Sequence, residues 1–302
     1  MRSLLQTTRV VAGPPVRWLR SAMHGPIWRK QFSRVKLGDE LSFHTTSGVR
    51  LHGRLYSARP ARAGFVVVHG WDPLGQSHGY YLGLAETLRS RGYTVLTFNL
   101  PGYPGSEAPP TPYDYTLPTL VSAVRAAIGT LIETGLVAPH RVVLFGHSYG
   151  GGLVLPTLAQ EPNIWRAIIH GPSTWVEKRI TGPGAPQRDF FHERYWRYMA
   201  PKSPVPLEVY LRVAQALYLP EQFHLVSDGH PPLLLLDGGD EEQKTWSFSH
   251  LLYESLPPPC TYYSIPGADH FCNTATLGPL LVSDRLVLDL LADYLDVWLW
   301  RE

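Results

Sequence analysis

The sequence predicts an α/β protein: a mostly parallel, doubly wound sheet with helices on both faces, interrupted once by a helical insertion. Short β-branched runs such as Gly64-Phe65-Val66-Val67-Val68 are apolar at every position, the mark of strands buried on both faces. These runs alternate with stretches of helical spacing, the rhythm of βαβ units. The rhythm breaks only over residues 172–230, which hold no clear strand and are rich in Pro, Arg and aromatics.

The elements follow in order. Residues 40–56 alternate apolar and polar positions about a Ser47-Gly48 turn, which predicts a hairpin. The strand over 64–68 ends at His69-Gly70. A helix carries Leu82, Leu84, Ala85 and Leu88 on one side and closes at Arg91-Gly92. Tyr93 to Asn99 is the next strand, Leu117 to Leu131 a helix, Arg141 to Phe145 a strand, and Gly150 to Gln160 a helix. Strands are then expected over Trp165–His170, Pro232–Leu236 and Thr261–Ile265, with a helix over Ser247–Ser255. Leu280 to Trp300 closes the chain as one amphipathic helix. The domain reading is a basic segment over 1–36, a core over 37–171, a lid-like insertion over 172–230, and the rest of the core over 231–302.

The chain has 302 residues, enough for a large core, and is 44% hydrophobic and 17% charged, an ordinary globular balance. A net charge of +2 argues neither for nor against a polyanion; no nucleic-acid partner is expected. Met1 to Gly38 contains no Asp or Glu but eight Arg and Lys, a composition that suits either an organelle-targeting peptide or a basic surface strap. No run is long and apolar enough for a membrane span. Cys260 and Cys272 read as two free thiols of a reducing compartment, and cytoplasmic placement is expected.

The chemistry concentrates at Phe145-Gly146-His147-Ser148-Tyr149-Gly150-Gly151, a G-x-S-x-G pentapeptide between a buried strand and a helix. The serine must occupy a turn so tight that its backbone is strained, and flanking glycines let strand and helix approach. A serine hydroxyl is a poor nucleophile unless a base takes its proton, and the base needs an orienting acid. His270, on the loop after the last strand, is the candidate base; His170, His192, His224, His230 and His250 fall within strands, the insertion or a helix. The acid is expected after the preceding strand, in Leu236-Asp237-Gly238-Gly239-Asp240-Glu241, where Asp240 and Glu241 are both placed for it and Asp237 is a weaker third. The backbone N–H groups of Tyr149, after the nucleophile, and Trp71, after His69-Gly70, are the expected oxyanion donors.

Together the His69-Gly70 turn, the G-H-S-Y-G elbow, the D-G-G-D-E turn and the G-A-D-H-F loop resemble the α/β-hydrolase family over residues 40–300. Asn99 to Ser106 resembles the family's D-x-x-G-x-G-x-S loop, with Asn99 in place of the usual Asp, a structural position. The subgroup is similar to esterase-like and prolyl-oligopeptidase-like hydrolases. The resemblance implies Ser148 as nucleophile, His270 as base, and Trp71 with Tyr149 as oxyanion donors. Its spacing, three residues after the strand-end Gly238, implies Glu241 as acid, while residue type favours Asp240. It accounts for neither the insertion nor the basic N-terminal segment.

The expected activity is an acyl-enzyme hydrolysis of a carboxylic ester, thioester or amide, without cofactor or metal. An acyltransferase using the same triad, or a binding protein on the same fold, is the alternative. Phe190, Phe191, Tyr195, Trp196, Tyr198 and Tyr218 of the insertion point to a small-molecule substrate with an apolar or aromatic part if they face the site.

Overall fold

The computed structural model describes residues 31–33, 37–172, 205–217, 222–225, 229–239, 249–277, 280–283 and 285–301. Its strands are β1 (Gln31–Ser33), β2 (Asp39–His44), β3 (Arg50–Tyr56), β4 (Gly64–Val68), β5 (Thr94–Phe98), β6 (Val142–His147), β7 (Ile164–His170), β8 (Leu233–Gly238), β9 (Cys260–Ile265), β10 (Ala275–Leu277) and β11 (Leu280–Ser283). The α-helices are α1 (Gly79–Ser90), α2 (Leu117–Glu133), α3 (Val154–Leu158), α4 (Leu207–Ala216), α5 (Ser249–Ser255) and α6 (Arg285–Leu299).

Among the described residues the main sheet has eight strands in the order β2-β3-β5-β4-β6-β7-β8-β9. β2, β3 and β5 pair antiparallel, and every pair from β5 to β9 is parallel. The β2–β3 hairpin turns where expected, with Gly48 at φ +85° and its N–H donating to the Thr45 carbonyl at 2.9 Å. The chain leaves β4 for β5 on one side and then crosses to β6 on the other. That order makes the carboxyl ends of β4 and β6 a topological switch point, where α/β sheets form their crevices.

Alternate residues along each central strand serve opposite layers. Val66, Val68, Val142, Leu144, Leu233 and Leu235 pack on one face with Leu120, Val124 and Leu131 of α2 and Val154 of α3. Phe65, Val67, Val143, Phe145, Leu234 and Leu236 pack on the other with Leu84 and Leu88 of α1 and Leu291 and Leu295 of α6. This two-sided burial is why these strands read as unbroken apolar runs.

Two expectations need correction. Residues 280–300 are not one helix: Leu280–Ser283 forms β11, paired antiparallel with β10 and β1, and α6 begins only at Arg285. A short apolar run has no periodicity that separates a strand from a buried helical turn. The helix after Ser148 opens as a 3-10 turn over Ser148–Leu153, and α-helix spans only Val154–Leu158. Gly150-Gly151-Gly152 explains this, because three glycines carry the largest backbone cost of ordinary residues in an α-helix. The insertion contributes α4 among its described residues; the basic segment up to residue 30 lies outside them.

Adjacent leucines of α6 test this packing. Leu291 is fully buried and Leu290 is 39% exposed. Leu291→Ala is expected to destabilise the fold by about 2–5 kcal/mol, and Leu290→Ala by no more than about 0.5 kcal/mol, measured by urea unfolding.

Candidate active site

Ser148 follows β6 directly and has φ +53°, in the left-handed region that a non-glycine residue adopts only under constraint. The constraint is the approach of three backbones. A Cβ on Gly150 would lie 2.5 Å from the Val68 carbonyl oxygen and 2.6 Å from that of His69. A Cβ on Gly146 would strike the Gly150 carbonyl oxygen. A Cβ on Gly70 would lie 2.8 Å from the Ser148 Cβ, so the turn after β4 rests directly against the serine. Ser148 itself is half-buried.

His270 is half-buried on the loop after β9, and the loop holds its own shape. Asp269 Oδ1 accepts from the Phe271 N–H at 2.9 Å and the Asn273 N–H at 2.7 Å; Asn273 Nδ2 donates to the Gly267 carbonyl at 2.9 Å. Cys272 and Asn273 both have positive φ, +51° and +57°, which turns the chain sharply behind His270. The loop docks on the elbow: His147 Nε2 donates to the His270 carbonyl at 2.8 Å, and the two rings lie 4.5 Å apart. Ser148 and His270 therefore occupy the same end of the sheet, joined through residue 147.

The other expected residues divide. Tyr149 is buried and is the second residue of the 3-10 turn, where a helical N–H has no acceptor within its own turn. Trp71 is buried after Gly70, with its ring 5.2 Å from that of Tyr149 and 4.2 Å from that of Tyr210 on α4. Asp240 and Glu241 lie outside the described residues. The strand end that leads to them meets the His270 loop, since a Cβ on Gly238 would lie 2.5 Å from the Ala268 carbonyl oxygen and 2.6 Å from that of Asp269. Asp237 is buried within β8, and its Oδ1 accepts from Ser249 Oγ at 2.7 Å, which ties it to the start of α5. Phe190, Phe191, Tyr195, Trp196, Tyr198 and Tyr218 also lie outside the described residues.

Asn99 shows why an amide stands there. Its Oδ1 accepts from the Gln76 N–H at 2.8 Å while its Nδ2 donates to the Pro104 carbonyl at 2.6 Å. A carboxylate could make only the first bond.

Sequence reasoning missed the polar layer beneath the site. The Tyr81 hydroxyl bonds His147 Nδ1 at 2.8 Å, and the Tyr80 hydroxyl lies 2.7 Å from His170 Nδ1. His78 caps α1, its Nδ1 accepting from the Tyr80 N–H at 3.2 Å, and its ring lies 4.4 Å from Phe271. The Tyr80-Tyr81 pair in the otherwise apolar first half of α1 was the available signal. Burial governs the charge of these rings. It lowers the His69 pKa from 6.5 to about 4, partly offset by the bond from Nδ1 to the Gly70 carbonyl. Burial, then His270 and His170, hold His147 well below the usual histidine range. Burial also lowers His78, against the opposing charge of Asp72. The Tyr149 phenol is raised well above its ordinary value, first by burial and then by Tyr115.

Among the described residues no group of three potential metal-ligating side chains gathers, and no helix is long and apolar enough to cross a membrane. Residues 65–205 match the family model of the alpha/beta hydrolase fold. The sheet order, the elbow and the likeness to solved structures give the chain the α/β-hydrolase fold. It is 27% identical over 122 residues to a proline iminopeptidase of Saccharolobus solfataricus, covering 40% of this chain and 37% of that protein. It is 22% identical over 265 residues to an uncharacterized protein of Mycobacterium tuberculosis, covering 87% of this chain and 81% of the relative. The solved structure of Est1E from Butyrivibrio proteoclasticus with ferulic acid bound superposes with a TM-score of 0.59 at 16% identity, covering 85% of this chain and 98% of that one.

Two measurements check this geometry. Gly150→Ala is expected to destabilise by about 1–3 kcal/mol, because the new methyl meets two carbonyl oxygens rather than a flexible side chain. The pH dependence has a definite sign. Below pH 6.5 the unfolded histidines bind protons that buried His69, His147 and His78 resist, so unfolding takes up protons and stability falls as pH drops. His69 alone accounts for a loss on the order of 3 kcal/mol by the time pH reaches about 4. Urea midpoints between pH 7.5 and 5 should report uptake of more than one proton on unfolding; a flat profile would contradict neutral burial.

Proposed function

We propose that the chain is a serine hydrolase that cleaves a carboxylic ester, thioester or amide through an acyl-enzyme on Ser148. The observation that carries the reading is Ser148 at φ +53° on a glycine-flanked elbow, with the loop of His270 hydrogen-bonded to the residue before it. In this reading Ser148 Oγ attacks the carbonyl carbon while His270 takes its proton. The developing oxyanion accepts from the N–H groups of Tyr149 and Trp71. Collapse expels the leaving group, which receives the proton from His270, and water repeats the cycle to free the acid. Glu241, or Asp240 beside it, orients the imidazole and stabilises its cation. The backbone contact between Gly238 and the His270 loop supports an acid arriving from this strand end.

In this reading α4 of the insertion acts as part of a lid beside the elbow. Tyr210 supports this, because α4 sets its ring against Trp71 and Tyr149. The aromatic wall of Trp71, Tyr149 and Tyr210 suits an apolar or aromatic acyl group, in keeping with the aromatic acid bound to Est1E.

A hydrolysis screen over p-nitrophenyl esters of increasing chain length and over anilides tests the reading. Ser148→Ala is expected to lower kcat at least about a thousand-fold with the fold intact. Equal rates in the two proteins would end the proposal. Glu241→Gln should lower kcat by about two to four orders of magnitude. Full activity in Glu241→Gln with loss in Asp240→Asn would move the acid to Asp240.

A further inference from the structure

A directed chain of hydrogen bonds runs through the elbow and joins both sides of the site. It starts at the Gly70 N–H, which donates to the Tyr81 hydroxyl at 2.6 Å. The Tyr81 hydroxyl is 2.8 Å from His147 Nδ1, and His147 Nε2 is 2.8 Å from the His270 carbonyl oxygen. The end groups decide the direction. A carbonyl only accepts, so Nε2 must carry the hydrogen of the neutral ring. Nδ1 is then a lone pair, so the Tyr81 hydroxyl donates to it and takes the Gly70 N–H on its oxygen. The three bonds run in one sense, from the turn that bears Trp71 to the backbone of His270.

We infer that Tyr81 and His147 are positioning residues that couple the oxyanion turn to the base loop across the nucleophile elbow, an assignment that rests on the serine-hydrolase reading above. Neither side chain is proposed to touch substrate. Their effect passes through two backbones, that of Gly70-Trp71 and that of His270. The ring of His147 is wholly buried and 4.5 Å from that of His270. It reaches the base carbonyl without supplying a competing proton, because its Nε2 hydrogen is committed and its Nδ1 already accepts. The chain also crosses four elements distant in sequence: the end of β4, the first turn of α1, the end of β6 and the loop after β9. An error of about an ångström in any of them is enough to misplace a reacting group and cost about a hundred-fold in rate.

The test uses the full chain and a fluorophosphonate probe, which reads the serine whatever the natural substrate. The Ser148 oxygen bonds phosphorus, fluoride leaves, and the serine proton passes to His270. Tyr81→Phe is expected to lower the limiting labelling rate about ten-fold or more, with the half-saturating probe concentration within about two-fold of wild type. His147→Leu should do the same or worse, and His147→Gln should recover most of the rate, because its amide N–H still reaches the His270 carbonyl. The double variant Tyr81→Phe with His147→Leu should be within about two-fold of His147→Leu alone, since one broken chain cannot be broken twice. Near-ultraviolet circular dichroism at the assay temperature counts the folded fraction, and Tyr81→Phe stands alone should the leucine variant not fold. Unchanged labelling in Tyr81→Phe, or strictly additive losses in the double variant, would overturn the inference while Ser148→Ala still abolishes labelling. A wild-type chain that takes no label, or Ser148→Ala labelled at the wild-type rate, removes the serine reading itself and the inference with it.

Discussion

The structure depends on one close approach, that of the turn after Ser148 to the carboxyl end of β4. The backbone at Gly150 lies against the carbonyls of Val68 and His69, at a distance no side chain at residue 150 permits. With β6 hydrogen-bonded beside β4 in parallel register, Val68 opposite Gly146, the chain has no room to leave the strand gradually. It must reverse within a residue or two, and Ser148 absorbs the reversal at positive φ. The strain of a left-handed non-glycine residue is on the order of 1–3 kcal/mol. Burial of the strands on both sides offsets it, since the apolar layers above and below β4 and β6 hold their register whatever the preference of one serine.

Everything else at the site takes its position from that approach. Gly70 is pressed to Ser148 because β4 ends there, so Trp71 follows directly on the turn that rests against the serine. Tyr149 enters the 3-10 turn because three glycines follow it, and its ring is swung under Trp71. The His270 loop arrives from the far edge of the parallel strands and closes on the same point through His147. Four segments thus converge on one residue by packing alone, before any ligand is considered.

The parallel core was legible because burial on both faces leaves a one-letter trace: GFVVV, VVLF and LLLL admit few other readings. The sharp turn at Ser148 was legible because the glycines at 146 and 150 are what the approach requires, and the position of the His270 loop because it follows the last parallel strand. Residues 280–283 were misread as helix because Leu-Leu-Val ahead of an amphipathic stretch fits either state, and only the antiparallel partners at 31–33 and 275–277 decide. The polar layer was not legible for a different reason. Tyr81 and His147 lie sixty-six residues apart, and their contact exists only once α1 has packed under β6. Local patterns carry periodicity and turn chemistry, but they carry no record of which buried hydroxyl will meet which ring.

That hidden layer matters because of what sits above it. In the proposed reaction His270 becomes a cation at the moment the oxyanion forms. His147 lies within 4.5 Å of it, and His78 and His170 stand close behind. A second positive ring at that distance would oppose the first by about 4 kcal/mol at an effective dielectric constant near 20, nearly three orders of magnitude in rate. The fold avoids this by burying His147 completely and using both of its nitrogens in a neutral hydrogen-bonding pattern, Nε2 as donor and Nδ1 as acceptor. Protonation of His147 would place a hydrogen on Nδ1 facing the Tyr81 oxygen, so the hydroxyl would have to turn its own hydrogen away from the ring, and the site would have to bear the charge. Burial and bonding therefore act in the same direction. A site can be crowded with titratable rings and still carry little charge when rings such as His147 and His78 are held neutral by the packing that also places them.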